Sequence, residues 1–457
     1  MAQLVDLPKE IILTICSVLR SERSTRHLLH TNTTDEEIDH VLHQVQKAVM
    51  NLSLVNKEFR ALLFRESYTF VSITGKAAAS KMISLLRLVR WNDIMRKSIR
   101  DFHLHIEEFE NSRETVQEAD IMFLEQTAAS LGIAINKRLG FLTMHTNFMH
   151  GRPFTIHEAC KKGSVPFTFM ASILLLMHLQ RMEELFLEVS EPHIRFIGNF
   201  CGLIEGIRFP VLQSLALRGT RRGVGHDLDE SEPSVISHEA LKNLFIAAPK
   251  LDDLFLQRYH LLGRVGASRN TQIRSLVLHG VYAQLAELPS TIEACEMLET
   301  FIHIKSMHEI EDDYLEIHPG DSCLAFAFAS RNRASSLQTV VLDFRPNDGQ
   351  DPFSRRVSSF EDFTQLRSLW ISMNSLDNSA YPIRNLPASL ERLHLAGLSW
   401  ELAEDLLWLA DQIEWGNFPR LREVCIDGEG CDITNIINRF RECGIHADSK
   451  IDNPITW

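Results

Sequence analysis

A six-residue phrase recurs along this chain and constrains its fold more than any other feature. It runs aliphatic, two polar residues, aliphatic, one variable residue, aliphatic. It reads MEELFL from Met182, LQSLAL from Leu212, LDDLFL from Leu251 and IRSLVL from Ile273. It returns as LQTVVL from Leu337, LRSLWI from Leu366, LERLHL from Leu390 and LREVCI from Leu421. IRDFHL from Ile99 also fits, LGFLTM from Leu139 fits weakly, and LETFIH from Leu298 fits only in a shifted frame. With Leu298 counted, the steps from Met182 to Leu421 are 30, 39, 22, 25, 39, 29, 24 and 31 residues. The last two aliphatics of each phrase stand two apart, so on a strand they point to one side. The first aliphatic, three residues earlier, closes the turn into that strand. Between phrases lie amphipathic helical stretches at 238–247, 289–296 and 402–415, and Pro249 and Pro419 stop two of them before the next strand. One strand and one helix cannot bury their own apolar sides, so such units must stack. The expected fold is α/β, with a parallel sheet on a concave side and helices on a convex side.

This phrase resembles that of leucine-rich-repeat proteins, and the resemblance covers roughly residues 68–445. The chain departs from the regular pattern in unit length and in mostly lacking the Asn or Cys that follows the strand. It is read as an irregular leucine-rich-repeat solenoid over 67–445 with a C-terminal tail at 446–457. On each strand the residues beside and between the inward aliphatics are expected to line the concave face. Phe186, Phe255, Val277, Val341 and Trp370 form an apolar middle column there, flanked by Arg218, Arg392 and His394. Aromatics and arginines are enriched at interface hot spots, so these eight are the expected target-binding residues. The alternative is that a long loop or the tail folds back and covers the column. The spacers at 220–235 and 310–321 read as acidic surface loops.

Residues 1–66 do not follow the repeat. Leu7-Pro8-Lys9-Glu10-Ile11 places a proline in the first turn of a helix, where its missing N–H costs nothing. Ile11, Ile15 and Leu19 then share one face. A second apolar stripe runs through Ile38, Val41, Leu42, Val45 and Val49, and a third through Leu52, Val55, Phe59 and Leu62. Three short helices with such stripes gain from docking on a partner. The two outer segments resemble an F-box: Leu7, Pro8, Glu10, Ile11, Ile15 and Leu19 match its opening. Leu52, Val55, Asn56, Lys57, Phe59 and Arg60 match its second half. The segment 20–47 is longer than the family's, and no Trp precedes Trp91.

The F-box resemblance implies a substrate receptor of an SCF-type cullin–RING ubiquitin ligase, located in the cytoplasm, the nucleus or both. Leu7, Pro8, Ile11, Ile15, Val55, Phe59 and Leu62 would dock on the Skp-family adaptor, and the solenoid would hold a target protein. Proximity is then the chain's contribution, and it needs no catalytic residue and no cofactor. The alternative is a leucine-rich-repeat scaffold outside any ligase.

Composition trims the remaining classes. Lys+Arg 47 against Asp+Glu 60 gives a net charge of −13, which disfavours nucleic acid and anionic membrane as partners. The longest uncharged stretch, 163–180, is interrupted by Pro166, Ser172 and His178 and reads as a buried helix feeding a strand. Asp6, Lys9 and Glu10 break the apolar core that a signal peptide requires. The eight cysteines form no CxxC pair, and the quartet Cys425, Cys431, Cys443 and His446 has no common zinc spacing. His103 and His105 flank Leu104 on an expected strand and so face one side; loop or solvent contact is favoured there over a metal. No phosphate loop, nucleophile elbow or HExxH is present, so an enzyme is not expected.

Overall fold

The protein is described by a computed structural model. It covers residues 67–74, 77–106, 117–132, 164–189, 208–219, 234–262, 272–283, 287–304, 334–344, 359–372, 381–397, 402–428 and 433–450, with isolated positions between them. The chain divides into two compact units, residues 1–234 with 239–251, and 235–238 with 252–457.

The first unit runs β1 (Phe70–Ile73), α1 (Ala78–Trp91), α2 (Asp93–Ser98), β2 (Asp101–His105), α3 (Glu118–Ser130), α4 (Ser164–His178), β3 (Glu184–Glu188) and β4 (Ser214–Arg218). Helix α5 (His238–Ala247) completes it. Its strands pair in the order β1-β2-β3-β4, all parallel. Helix α4 is the buried helix expected from 163–180. Nearly every side chain from Phe167 to His178 is buried, because α1 and α3 both pack against it. Its Ser172 hydroxyl donates to the Thr168 carbonyl at 2.7 Å, so even the polar atom is satisfied inside the helix. Among the described residues no helix is long and apolar enough to cross a membrane.

The second unit runs β5 (Ser234–Ser237), β6 (Asp253–Gln257), β7 (Tyr259–Leu262), β8 (Ser275–His279), β9 (Tyr282–Ala283), α6 (Glu287–Ala294), β10 (Thr300–Ile304), β11 (Thr339–Asp343) and β12 (Ser368–Ser372). It continues with a 3-10 turn (Pro382–Asn385), β13 (Arg392–Ala396), α7 (Ala403–Glu414), β14 (Glu423–Ile426), α8 (Thr434–Glu442) and β15 (His446–Asp448). Its main ladder is parallel throughout, in the order β6-β8-β10-β11-β12-β13-β14-β15; β5, β7 and β9 form a small separate sheet. The ladder thus reaches into the stretch 446–457 read as a tail, since β15 pairs with β14.

The phrase and the strand coincide. Each of the eight clean phrases, and IRDFHL, starts its strand at the third residue. The phrase's first aliphatic is buried in every case and commonly closes a turn: Leu212 N–H donates to Phe209 O at 3.2 Å, Leu366 to Phe363 O at 3.0 Å, Leu390 to Pro387 O at 3.1 Å. The second residue's carbonyl then accepts two N–H groups from the next repeat, as Arg367 O does from Glu391 at 2.7 Å and Arg392 at 2.9 Å. LETFIH proves to need no shifted frame. β10 starts at its third residue like the others, and Phe301 and His303 align with Leu276 and Leu278. A buried histidine at an aliphatic position had hidden the match. LGFLTM lies outside the described residues.

The helices follow the sequence closely. The stretches 238–247, 289–296 and 402–415 correspond to α5, α6 and α7 within two residues at each end. Helices α7 and α8 bury one stripe each, Leu406, Leu409 and Ala410 on the first and Ile436, Ile437 and Phe440 on the second.

Candidate binding face

The residues expected to bind a target lie on the strand face opposite the phrase aliphatics. The ladder aligns them in rows. In the first unit His103, Phe186 and Ala216 stand in register. In the second, Phe255, Val277, Ile302, Val341, Trp370, His394 and Cys425 do so. The column is real, but it is not open. Phe186, Arg218, Phe255, Val277, Val341, Trp370 and His394 are all buried, and Arg392 alone among the eight is half-exposed. Parallel strands buried on both faces are the usual state of such ladders. Trp370, at 0% exposure, is a core residue, and its truncation would cost about 3–5 kcal/mol of stability rather than a surface contact.

Solvent reaches the first position of several strands, though Asp101, Ser275 and Ser368 are buried there. Glu184 and Ser214 in the first unit, and Asp253, Thr300, Thr339, Arg392 and Glu423 in the second, are half-buried while the positions after them are sealed. Arg392 is held there by its neighbour: Nε and Nη2 donate to Ser368 Oγ at 3.1 and 2.9 Å. The guanidinium is thus positioned along the strand edge.

Polar groups also lie inside the face; the sequence singles out Arg218, His394, His103 and His105 but not their burial or their partners. Glu188 lies 3.8 Å from Arg218 Nη1 and 3.9 Å from His105 Nδ1; Glu188 and Arg218 are nearly dry and His105 is partly exposed. Such a pair is stable only because the opposite charge is in place, since either group alone would be an uncompensated buried ion. His103 is buried against Phe186, ring centroids 4.2 Å apart, with Nδ1 3.3 Å from Ser72 Oγ. Burial first, then the nearby His105 and Arg218, hold its imidazole well below the usual histidine range. His103 is therefore neither a loop nor a solvent contact. In the second unit Gln257 Nε2 meets His279 Nδ1 at 3.0 Å, and His394 Nε2 meets Glu423 Oε1 at 3.0 Å. Phase within the phrase puts these groups on the same face as the apolar column, but their partners in register are mostly polar: Glu188 stands between His105 and Arg218, and Gln257 beside His279.

Among the expected adaptor-docking residues, Ile11 is exposed and Phe59 is buried. Leu7, Pro8, Ile15, Val55 and Leu62 lie outside the described residues. Cys201 and Cys295 are buried free thiols, and burial pushes the Cys201 thiol up to about 12, which makes it unreactive. No protein-family model and no curated protein matches the chain.

Proposed function

We propose that the chain is the substrate-recognition subunit of an SCF-type E3 ubiquitin ligase, its N-terminal helices docking on the Skp-family adaptor and its repeats holding the target protein. What carries the reading is an order of features: two F-box-like half-motifs precede a long array of strand-forming repeats. The array's strands are sealed on both faces, so the target is read by the half-exposed strand edge, with Arg392 the arginine on it. Ile11, exposed on the first helical segment, suits an adaptor contact, and Phe59 suits the interior of the same module.

The test is calorimetry of the full-length protein with the Skp-family adaptor. Binding that is lost when Leu7 and Pro8 are both changed to Ala supports the reading. No binding by the intact protein sinks it and leaves a repeat scaffold that bridges proteins outside any ligase.

A further inference from the structure

One end of the second unit gathers three side chains whose chemistry is that of metal ligands. His394 is the third residue of β13 and Cys425 the third of β14, and the two strands place them directly opposite each other. Glu423 precedes Cys425 by two residues, so the pleat turns it to the same face. His394 Nε2 lies 3.0 Å from Glu423 Oε1, and Cys425 Sγ lies 3.7 Å from the same oxygen. One ligand atom from each of the three falls within 4.8 Å of the other two. Around a tetrahedral zinc ion, with bonds of about 2.0–2.1 Å to nitrogen and oxygen and about 2.3 Å to sulfur, ligand atoms stand roughly 3.3–3.7 Å apart. Side-chain adjustments of about an ångström therefore close the observed triangle around a metal.

We infer that His394, Glu423 and Cys425 form a zinc-binding site, with water in the fourth position. The donor set selects the metal. Imidazole and thiolate are poor ligands for calcium or magnesium, which take oxygen, and good ones for zinc. Charge also closes: one carboxylate and one thiolate neutralise a divalent ion, so the complex carries no net charge into a buried place. On binding, the Cys425 thiol gives its proton to solvent and its sulfur to the metal. His394 and Cys425 are buried, while the Glu423 side chain is 30% exposed, which provides the entry path. The site would tie β13 to β14 near the end of the ladder. It is independent of the ligase reading, and neither needs the other.

The experiment uses the full chain stripped with a chelator, then titrated with zinc chloride and, separately, with cobalt(II) chloride. One equivalent of zinc should bind, and cobalt should give a thiolate charge-transfer band with the visible absorption of a tetrahedral ion. Cys425→Ser should abolish that band, and both it and Glu423→Gln should weaken zinc binding by about tenfold or more, since even outer-shell losses cost that much. Glu423→Gln is nearly isosteric and partly exposed, so it keeps the test alive if Cys425→Ser misfolds; circular dichroism of the metal-free variants checks this. Zinc bound equally well by wild type and both variants is adventitious binding to surface histidines and overturns the site. A cobalt spectrum with no thiolate band does so as well.

Discussion

The two units bury their helices differently. In the first, α4 carries no charged residue and packs against both α1 and α3. In the second, α7 and α8 are amphipathic, each with one buried stripe and a charged outer face. The difference shows how one strand phrase serves two constructions. Where neighbouring helices pack on a connector from more than one side, it loses its polar face; where they do not, the connector keeps acids and arginines for solvent. Connector hydrophobicity, more than the strand phrase, thus records how far a connector is enclosed.

The comparison breaks most readily at a leucine in each helix. Leu174 in α4 and Leu406 in α7 are both fully buried. A truncated side chain costs more where the surroundings cannot collapse. Leu174→Ala, enclosed by helices, should cost about 4 kcal/mol, and Leu406→Ala, on a helix free to settle inward, about 2–3 kcal/mol. Denaturant unfolding with hydrogen exchange on the peptides containing each helix gives both numbers. Equal costs would mean that the outer helices add no constraint.

A buried carboxylate in the second unit gives the next effect. Asp405 in the first turn of α7 is almost fully buried and accepts from Arg384 Nε at 2.7 Å. Arg384 also lies over Tyr381 and Trp408, at 4.6 and 5.7 Å from their ring centroids. Arg384→Ala leaves the carboxylate without its charged donor, a loss of about 2 kcal/mol. Adding Asp405→Asn should restore part of it, which a double-mutant cycle in denaturant would read. If the two losses simply add, the pair is a surface contact rather than a coupled buried one.

The strand ladder was largely legible in the sequence, and the reason is periodicity. Leu215 and Leu217, or Leu393 and Leu395, can satisfy a two-residue period only on a strand, and the turn-closing aliphatic fixes where that strand begins. β10 resisted because His303 sits where an aliphatic belongs, and β15 because three residues carry no phrase. The binding face was legible as a column and illegible as an interior. Phe186 or Trp370 looks the same in a sequence whether water or protein covers it. The polar groups beside them, Glu188 with Arg218 and His394 with Glu423, pair across strands far apart in the chain, and no local pattern announces such a pair.

Acid should weaken the first unit. His103 and His178 both belong to the first unit, and burial lowers both imidazoles below the usual value of 6.5. Each holds a proton less readily when folded than in the unfolded chain, where it takes one near pH 6.5. The unfolded state thus binds more protons below that pH, and stability is lost as pH falls through 6.5. For the fully buried His103 the slope approaches about 1.4 kcal/mol per pH unit until its own lowered value is reached. His103→Gln should flatten the decline between pH 6.5 and 5, measured as the denaturation midpoint of the first unit. An unchanged slope would show that His103 stays solvated.

The smallest expected effect lies on the charged outer face that distinguishes the second unit. Arg439 of α8 reaches across to α7, with Nη2 2.8 Å from Asp411 Oδ1 and 2.5 Å from Glu414 Oε2, and Nη1 3.6 Å from Glu442 on its own helix. The two hydrogen-bonded carboxylates raise its already high affinity for the proton, so it carries its charge at every pH of interest. Exposed pairs are weak, and their attraction is screened once the Debye length falls from about 10 Å at 0.1 M salt to about 3 Å at 1 M. Arg439→Ala should therefore lower the thermal midpoint slightly in dilute buffer and leave it unchanged in 1 M sodium chloride, whereas Arg439→Lys should fall between, lacking the planar fork. The stripe of Ile436, Ile437 and Phe440 holds α8 in place by burial, which salt does not weaken. A loss in Arg439→Ala that persists in high salt would place the arginine's methylene stem, rather than its charge, in the packing between the two helices.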